Sequence, residues 1–144
     1  MVDDCSNDDT PDKIASHFPD MTLLRNSTNL GFAKSCNRGI SEGKSEFVIL
    51  VNSDVTSDKN MVETLIEGFS KQPDVGSASP LLFKPNGLVD GFGITVDSTL
   101  SGFVRYAGES RDNLRRPFPA VVAAYGAVAA FRRAALQDVG LLDE

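Results

Sequence analysis

The apolar residues of the chain recur with two different periods, one typical of helices and one typical of strands. Helical spacing begins near Thr10, near Phe32 and near Ser57, and each segment ends close to a proline or a glycine. Short apolar runs at residues 21–25, 46–51 and 75–79 predict strands. This alternation predicts an α/β fold with a mostly parallel sheet, helices on its flanks and ligands at the carboxyl ends of the strands.

One helix has a clearer pattern than the others. Val62, Leu65, Ile66 and Phe69 are spaced so that they lie on one helical face, which we expect to pack against the sheet. The unbroken apolar run at residues 47–51 is typical of a strand that is covered on both faces.

The chain changes character after residue 80. Residues 81–119 are rich in glycine, contain the turn sequence Pro85-Asn86-Gly87 and lack a helical period, which predicts hairpins and loops over the sheet. Regular structure is predicted again as a strand at residues 126–131 and a helix at 132–138, with Gly140 as its cap.

Composition is that of an ordinary globular protein. The 144 residues are 41% hydrophobic and 24% charged, which fits one domain, and the change of pattern divides it into halves 1–80 and 81–144. A net charge of −6 argues against nucleic-acid binding, because that function needs clustered Lys and Arg. No apolar run is long enough to span a membrane and no secretory signal follows Met1, so we expect a cytoplasmic protein with two reduced cysteines.

Two acidic clusters follow short apolar segments. Asp3-Asp4 follows Val2, and Asn52-Ser53-Asp54 follows the apolar run at 47–51. In a parallel sheet both clusters would emerge at the same edge, where carboxylates repel one another unless a cation lies between them. Mg²⁺ and Mn²⁺ accept one or two protein carboxylates together with phosphate oxygens, so the pattern predicts a nucleotide-diphosphate site. The alternative is that these side chains only cap turns and helices.

Four motifs give the chain a specific resemblance. They are, in order, Val2-Asp3-Asp4-Cys5-Ser6-Asn7-Asp8-Asp9-Thr10, then Asn29-Leu30-Gly31-Phe32-Ala33 with Asn37-Arg38-Gly39-Ile40, then Asn52-Ser53-Asp54, and finally Gly126-Ala127, Arg132-Arg133 and Val139-Gly140-Leu141-Leu142-Asp143-Glu144. Together they resemble the motifs of family 2 glycosyltransferases, which have the Rossmann-like GT-A fold. The Asn-x-Asp form with the Gly-Phe-Ala block is most similar to rhamnosyltransferase-like members.

The resemblance implies a role for each matching residue. Asp3 would accept the imide N–H of uracil or thymine, Asp4 and Ser6 would shape the turn around base and ribose, and Asp54 would coordinate Mg²⁺ or Mn²⁺ under the diphosphate. Gly31 would let the backbone approach the nucleotide closely. The residues implied in nucleotide-sugar binding are Asp3, Asp4, Ser6, Asn29, Gly31, Lys34 and Asn52.

The chain also departs from the family pattern. The metal motif has Asn52 where many relatives have aspartate, and Cys36 stands where many carry arginine. The family's first strand would precede Asp3, and its catalytic base usually follows the Asp-Glu pair. Within the sequence, the two candidate catalytic residues are Asp143, as the base, and Asp54, as the metal ligand. We therefore expect a fragment of a longer enzyme, with its first strand missing, marginal stability and a tendency to associate.

The implied function is inverting, metal-dependent transfer of a sugar from a UDP- or dTDP-sugar to a hydroxyl of a glycan or lipid-linked acceptor, with peripheral association at the inner face of the membrane. A phosphoacceptor receiver domain is one alternative, since it also has an acidic pair and a later aspartate at strand ends. Its lysine-proline pair would be Lys84-Pro85, which follows Asp54 too closely. A domain that binds nucleotide sugar without turnover is the second alternative.

Overall fold

A computed structural model of the chain describes residues 1–115 and 121–144, so the end of the predicted loop stretch, at 116–120, lies outside the described residues. The chain forms two compact units. The first comprises residues 1–45 and 137–144, and the second comprises residues 46–136. Within the described residues, no helix has the length and apolar content that a membrane crossing requires. Cys5 and Cys36 are both free thiols.

The first unit begins with a strand–helix–strand–helix sequence. Its elements are β1 (Val2–Asp3), α1 (Thr10–His17), β2 (Leu24–Arg25) and α2 (Phe32–Glu42). The two strands pair in parallel, with Val2 opposite Leu24 and Asp3 opposite Arg25. Helices begin and end near the predicted points, although Asp9 rather than Thr10 occupies the cap position of α1. The predicted strand at 21–25 is reduced to its last two residues.

Helix α2 packs closely against β1. A Cβ atom added at Gly39 would lie 2.9 Å from a methyl carbon of Val2, so glycine allows the helix to approach the strand. Ser35, Asn37 and Ile40 are the buried residues of this helix, and two of the three are polar. The helix therefore contributes hydrogen-bonding groups as well as apolar surface to the interior of the first unit.

The second unit contains a three-stranded sheet and two hairpin-like pairs. Its elements are β3 (Phe47–Val51), α3 (Met61–Lys71), β4 (Ser77–Ala78), β5 (Leu82–Phe83), β6 (Val89–Gly91), β7 (Ile94–Val96), β8 (Gly102–Val104), a 3₁₀ turn (Arg111–Asn113), β9 (Val128–Arg132) and α4 (Arg133–Val139), whose last residues belong to the first unit. The pairs β5–β6 and β7–β8 are antiparallel, which confirms the predicted hairpins.

The order of the main sheet is β3-β9-β4, and this corrects the expectation of parallel pairing. Strand β9 lies in the centre and runs antiparallel to both neighbours, with Phe47 opposite Arg132 and Val51 opposite Val128. Strands β3 and β4 are joined through a helix, as the pattern predicts, but a later strand is inserted between them. The α/β class is confirmed, while the predicted local parallel contact is replaced by a long-range antiparallel one.

The core of the second unit forms between α3 and this sheet. Leu65, Phe69 and Ala130 are buried there, and the rings of Phe47 and Phe69 stack with centroids 5.0 Å apart. The guanidinium of Arg132 lies over both rings and donates a 2.7 Å hydrogen bond to the carbonyl of Phe69. The Arg132 guanidinium thus packs on the two aromatic rings of this core.

Only half of the predicted apolar face of α3 is buried. Leu65 and Phe69 face the sheet, whereas Val62 and Ile66 are 49% and 37% exposed. The predicted core contribution of Val62 and Ile66 is therefore wrong for the described structure.

Phe69→Ala should therefore lower the free energy of unfolding by about 3–5 kcal/mol, because it removes a fully buried ring and leaves a cavity. Val62→Ala on the same helix is the matched control and should change it by less than about 1 kcal/mol. Urea denaturation followed by circular dichroism measures both. Equal effects of the two substitutions would contradict the assignment of the core.

Candidate functional site

Asp3 lies at the carboxyl end of β1 and is held on both carboxylate oxygens. Oδ1 accepts a hydrogen bond from the Ser6 backbone N–H at 3.2 Å, and Oδ2 accepts one from Arg25 Nε at 3.3 Å. Asp3 is 6% exposed. The hydrogen bonds from Ser6, supported by Arg25, lower the pKa of the Asp3 carboxyl despite its burial. Asp3 and Ser6 are therefore joined in one turn, whereas the prediction paired Ser6 with Asp4.

Asp4 binds the loop that precedes α2. Its carboxylate accepts hydrogen bonds from the backbone N–H groups of Leu30 at 2.8 Å and Gly31 at 2.9 Å, and from Asn26 Nδ2 at 2.8 Å. These donors, with the Leu30 amide first, lower the pKa of Asp4 to about 2. A carboxylate that is ionised at neutral pH thus ties together two segments of the first unit that are more than twenty residues apart.

Gly31 is required for backbone conformation. Its φ is +83°, and a Cβ atom at this position would meet no protein atom within 4 Å. The glycine is therefore explained by the positive φ of the backbone and not by crowding from the rest of the chain. The neighbouring Asn29 Oδ1 also accepts from the Gly31 N–H, at 3.1 Å, so this predicted site residue helps to fix the loop.

A polar network around the buried Asn26 and Ser35 supports this loop, and no role was predicted for it. Asn26 donates to Ser35 Oγ at 2.9 Å, while Arg38 donates to Asn26 Oδ1 and to the Arg25 carbonyl. A signal for it exists in the sequence, because Asn26 follows β2 just as Asp3-Asp4 follows the apolar Val2. Lys34, predicted to bind the nucleotide, is exposed on the first turns of the same helix as Ser35.

Asn37 binds the last residues of the first unit. Its side-chain amide exchanges two hydrogen bonds with the Leu142 backbone, 2.8 Å to the carbonyl and 3.0 Å from the N–H, and donates a third to Glu144 Oε1 at 3.0 Å. Asp143, the candidate base, lies exposed between these two anchored residues. The position of Asp143 thus depends on a buried asparagine that is 105 residues away from Leu142.

Asn52 and Asp54 lie in the second unit, in the turn that follows β3. The Asn52 N–H donates to the Ala127 carbonyl at 3.0 Å, and the Asn52 carbonyl accepts from the Val55 N–H at 3.2 Å. This turn places the exposed Asp54 in a cleft of about 1260 Å³ that Asn52 also lines. The strand therefore ends by presenting a carboxylate to a cavity of ligand size.

The two predicted acidic clusters belong to different units, Asp3-Asp4 to the first and Asp54 to the second. Across residues 1–115 and 121–144, no three His, Cys, Asp or Glu side chains group closely enough to hold a metal ion. An exposed carboxylate such as Asp54, in an open cleft, suits a cation that takes most of its ligands from water and phosphate. The carboxylate oxygens of Asp54 are thus suitable ligands for Mg²⁺ or Mn²⁺.

Comparison with known proteins identifies a family. The family model described as Glycosyl transferase family 2 matches residues 1–140. Over 100 residues, 62% of the chain, the sequence is 29% identical to N-acetylglucosaminyl-diphospho-decaprenol L-rhamnosyltransferase of Mycobacterium tuberculosis, of which it covers 33%. Over 95% of the chain, it is 25% identical to glucosyl-dolichyl phosphate glucuronosyltransferase of Haloferax volcanii, of which it covers 43%.

A solved structure supports the same fold. The mannosyltransferase PcManGT from Pyrobaculum calidifontis, in complex with GDP-Man and Mn2+, superposes with a TM-score of 0.64 and 18% sequence identity over 99% of the chain. The chain covers 37% of that protein. The chain thus spans less than half of the length of each of these relatives, and the GT-A fold is confirmed.

The Asp4 carboxylate gives a pH-dependent prediction. Its pKa in the folded state, about 2, is below the ordinary value of 3.8, so the ionised form stabilises the fold above pH 3.8 and this contribution is lost as the pH falls towards 2. Asp4→Asn should therefore lower the urea midpoint at pH 5 to 6, and the difference from the unsubstituted chain should shrink steadily below pH 4. Asp20→Asn, at an exposed turn, is the control and should differ little at any pH. A difference for Asp4→Asn that is independent of pH would contradict the account.

Proposed function

The chain belongs to glycosyl transferase family 2, and on that premise we propose that it forms the catalytic core of an enzyme that transfers a sugar from a UDP- or dTDP-sugar. The acceptor is the hydroxyl of a glycan or lipid-linked sugar. The observation that carries the proposal is Asp54, which β3 delivers into a cleft of about 1260 Å³. Two relatives support the acceptor class, since their names include a diphospho-decaprenol and a dolichyl phosphate.

In this proposal Asp54 holds a divalent cation, Mg²⁺ or Mn²⁺, whose charge offsets that of the departing diphosphate. The Mn2+ bound with GDP-Man in the mannosyltransferase supports a divalent cation without deciding between the two metals. Asn52 carries no charge, so Asp54 supplies the anionic ligand of its motif. Asn52 lies beside it, near the ribose or the donor sugar.

The residues of the first unit bind the nucleotide. Asp3 accepts the imide N–H of the base and shares its carboxylate with Arg25, while the turn held by Asp4 surrounds the base and ribose. The half-buried Ser6 and the exposed Asn29, Gly31 and Lys34 complete the nucleotide pocket. Because Asp4 already accepts three hydrogen bonds, its part is to fix the loop rather than to contact the nucleotide.

The reaction is a direct displacement with inversion. The acceptor oxygen forms a bond to the anomeric carbon while the bond from that carbon to the diphosphate oxygen breaks, and the diphosphate leaves with the electron pair. A carboxylate accepts the proton of the acceptor hydroxyl. Asp143 is the candidate for this base within the chain, and Asn37 positions it through Leu142 and Glu144.

A domain that binds nucleotide sugar without turnover is the remaining alternative, because the chain covers 33% and 43% of two enzymes of the family. Family membership removes the phosphoacceptor receiver domain from consideration. Sugar transfer measured with the chain and a UDP-sugar panel separates turnover from binding alone.

Asp54→Ala should abolish the increase in UDP affinity that Mn²⁺ produces, because the substitution removes the anionic ligand. Asp54→Asn should lose the same increase while keeping shape and one oxygen, which isolates the charge. Asp58→Ala removes another carboxylate that lines the cleft and should leave the effect of Mn²⁺ intact. Isothermal titration of UDP with and without Mn²⁺ measures this, and an unchanged metal dependence in Asp54→Ala would refute the role.

The Asp3 assignment predicts base selectivity. UDP should bind roughly tenfold to a hundredfold more tightly than CDP, because an imide N–H donates to a carboxylate whereas cytosine presents an acceptor at that edge. Asp3→Asn should reduce or reverse this preference, since an amide can donate to cytosine, and Asp12→Asn is the exposed control. Equal affinities for UDP and CDP in the unsubstituted chain would remove Asp3 from the site.

A further inference from the structure

The cleft that receives Asp54 contains a second polar pair, which the mechanism above does not use. Asp90, on β6, accepts a hydrogen bond at 3.2 Å from the Tyr125 hydroxyl, and both residues line the cleft. Both are half-buried, so the pair lies in the wall rather than in the core. An ionised carboxylate has several acceptor positions, so Asp90 can accept further hydrogen bonds besides the one from Tyr125.

The structure holds Tyr125 in place from three sides. Its backbone N–H donates to Ser79 Oγ at 3.0 Å, and the Ser79 hydroxyl donates to the Val128 carbonyl at 2.9 Å. The Tyr125 ring lies against Gly91, where an added Cβ atom would come within 2.7 Å of two ring carbons. The phenol oxygen therefore has a fixed position in the cleft wall.

The charges around Tyr125 determine what the pair offers a ligand. Burial, followed by the negative charge of Asp90, raises the pKa of the Tyr125 hydroxyl, and the charge of Asp54 contributes in the same direction. Tyr125 therefore keeps its proton at neutral pH and donates a hydrogen bond to Asp90. The phenol oxygen and the carboxylate then remain as two adjacent hydrogen-bond acceptors.

We propose that Asp90 and Tyr125 form a sugar-binding pair that accepts hydrogen bonds from two neighbouring hydroxyl groups of a sugar in the Asp54 cleft. A carboxylate and a phenol oxygen side by side match the donors of a sugar diol, and a carboxylate that accepts from a hydroxyl forms a strong, charge-assisted hydrogen bond. The proposal rests on the proposed function. Its chemistry is common to the donor hexose and to an acceptor glycan, which the experiment separates.

The donor arm compares UDP with UDP-glucose, UDP-galactose and UDP-N-acetylglucosamine by calorimetric titration in the presence of Mg²⁺. The measured quantity is the gain in affinity that the sugar adds to UDP. The acceptor arm measures the binding of methyl glucoside, methyl mannoside and methyl rhamnoside to the UDP–Mg²⁺ complex by saturation-transfer NMR. Tyr125→Phe, which keeps the ring on Gly91, and Asp90→Asn should each reduce sugar binding about tenfold in one arm and leave the affinity for UDP unchanged.

Deoxy sugars separate recognition from a structural tie between β6 and Tyr125. A sugar that lacks the recognised hydroxyl should bind the unsubstituted chain about as weakly as the variants, and Tyr125→Phe should weaken its binding no further. Tyr106→Phe, at the other of the two tyrosines in the sequence, and Asp74→Asn are the matched controls. Neither residue lines the cleft, and neither substitution should alter sugar binding.

The outcomes are distinct. Loss in the donor arm or in the acceptor arm supports the pair and identifies the source of the sugar. Sugar binding that is unchanged in a folded Tyr125→Phe overturns the pair, even if Asp90→Asn does not fold. Binding of UDP with no contribution from a sugar in either arm also overturns the pair, while nucleotide binding stands. A chain that binds neither UDP nor its sugars overturns the proposed function and this inference with it.

Discussion

The antiparallel pairing of β3 with β9 is the constraint on which the second unit depends. The five residues of each strand pair in continuous register, from Phe47 opposite Arg132 to Val51 opposite Val128. One further hydrogen bond, from the Asn52 N–H to the Ala127 carbonyl, extends the contact beyond the last pair. Because the strands are antiparallel, the end of β3 and the start of β9 lie at the same edge. Asp54 and Tyr125 both reach the cleft from that edge.

The first unit uses an ionised carboxylate for a comparable purpose. Asp4 joins β1 to the loop before α2 through three hydrogen bonds, and Gly31 supplies the left-handed backbone that the loop needs. The sheet thus orients the residues of the cleft, whereas the hydrogen bonds of Asp4 orient the predicted nucleotide pocket. Each arrangement ends by leaving one group of predicted site residues exposed to a ligand.

The sequence was sufficient for features that depend on local periodicity. Helices α1, α2 and α3 follow from apolar spacing with proline and glycine at their ends, and the turns of the predicted hairpins follow from glycine content. The central position of β9 was not predictable in this way, because its partner Phe47–Val51 is about eighty residues earlier. In addition, the apolar pattern of a strand does not indicate whether it pairs in parallel or antiparallel. The burial of Val62 and Ile66 was overestimated for a related reason, since helical spacing defines a face but not how much of that face its neighbours cover.

The candidate site was predictable where residue order carries the signal. Asp54 follows an apolar strand and lines a cleft, while its role as a metal ligand stays a prediction. Asp3 and Asp4 were expected to have different roles, and their partners do differ, since Asp3 bonds within its own turn and to β2 while Asp4 binds a distant loop. Arg38, Asp90 and Tyr125 were missed because each acquires its role from a partner elsewhere in the chain, whereas the position of Asn26 directly after a strand was a signal that was not used.

The central claim is that a divalent cation and a nucleotide diphosphate meet at Asp54. Paramagnetic broadening of backbone amide signals by Mn²⁺ tests it most directly, because the effect falls steeply with distance from the ion. With UDP present, substoichiometric Mn²⁺ should selectively broaden the amides around residues 52–58 and 125–127. Broadening that spares residues 52–58, or that spreads evenly over exposed carboxylates, would contradict the claim.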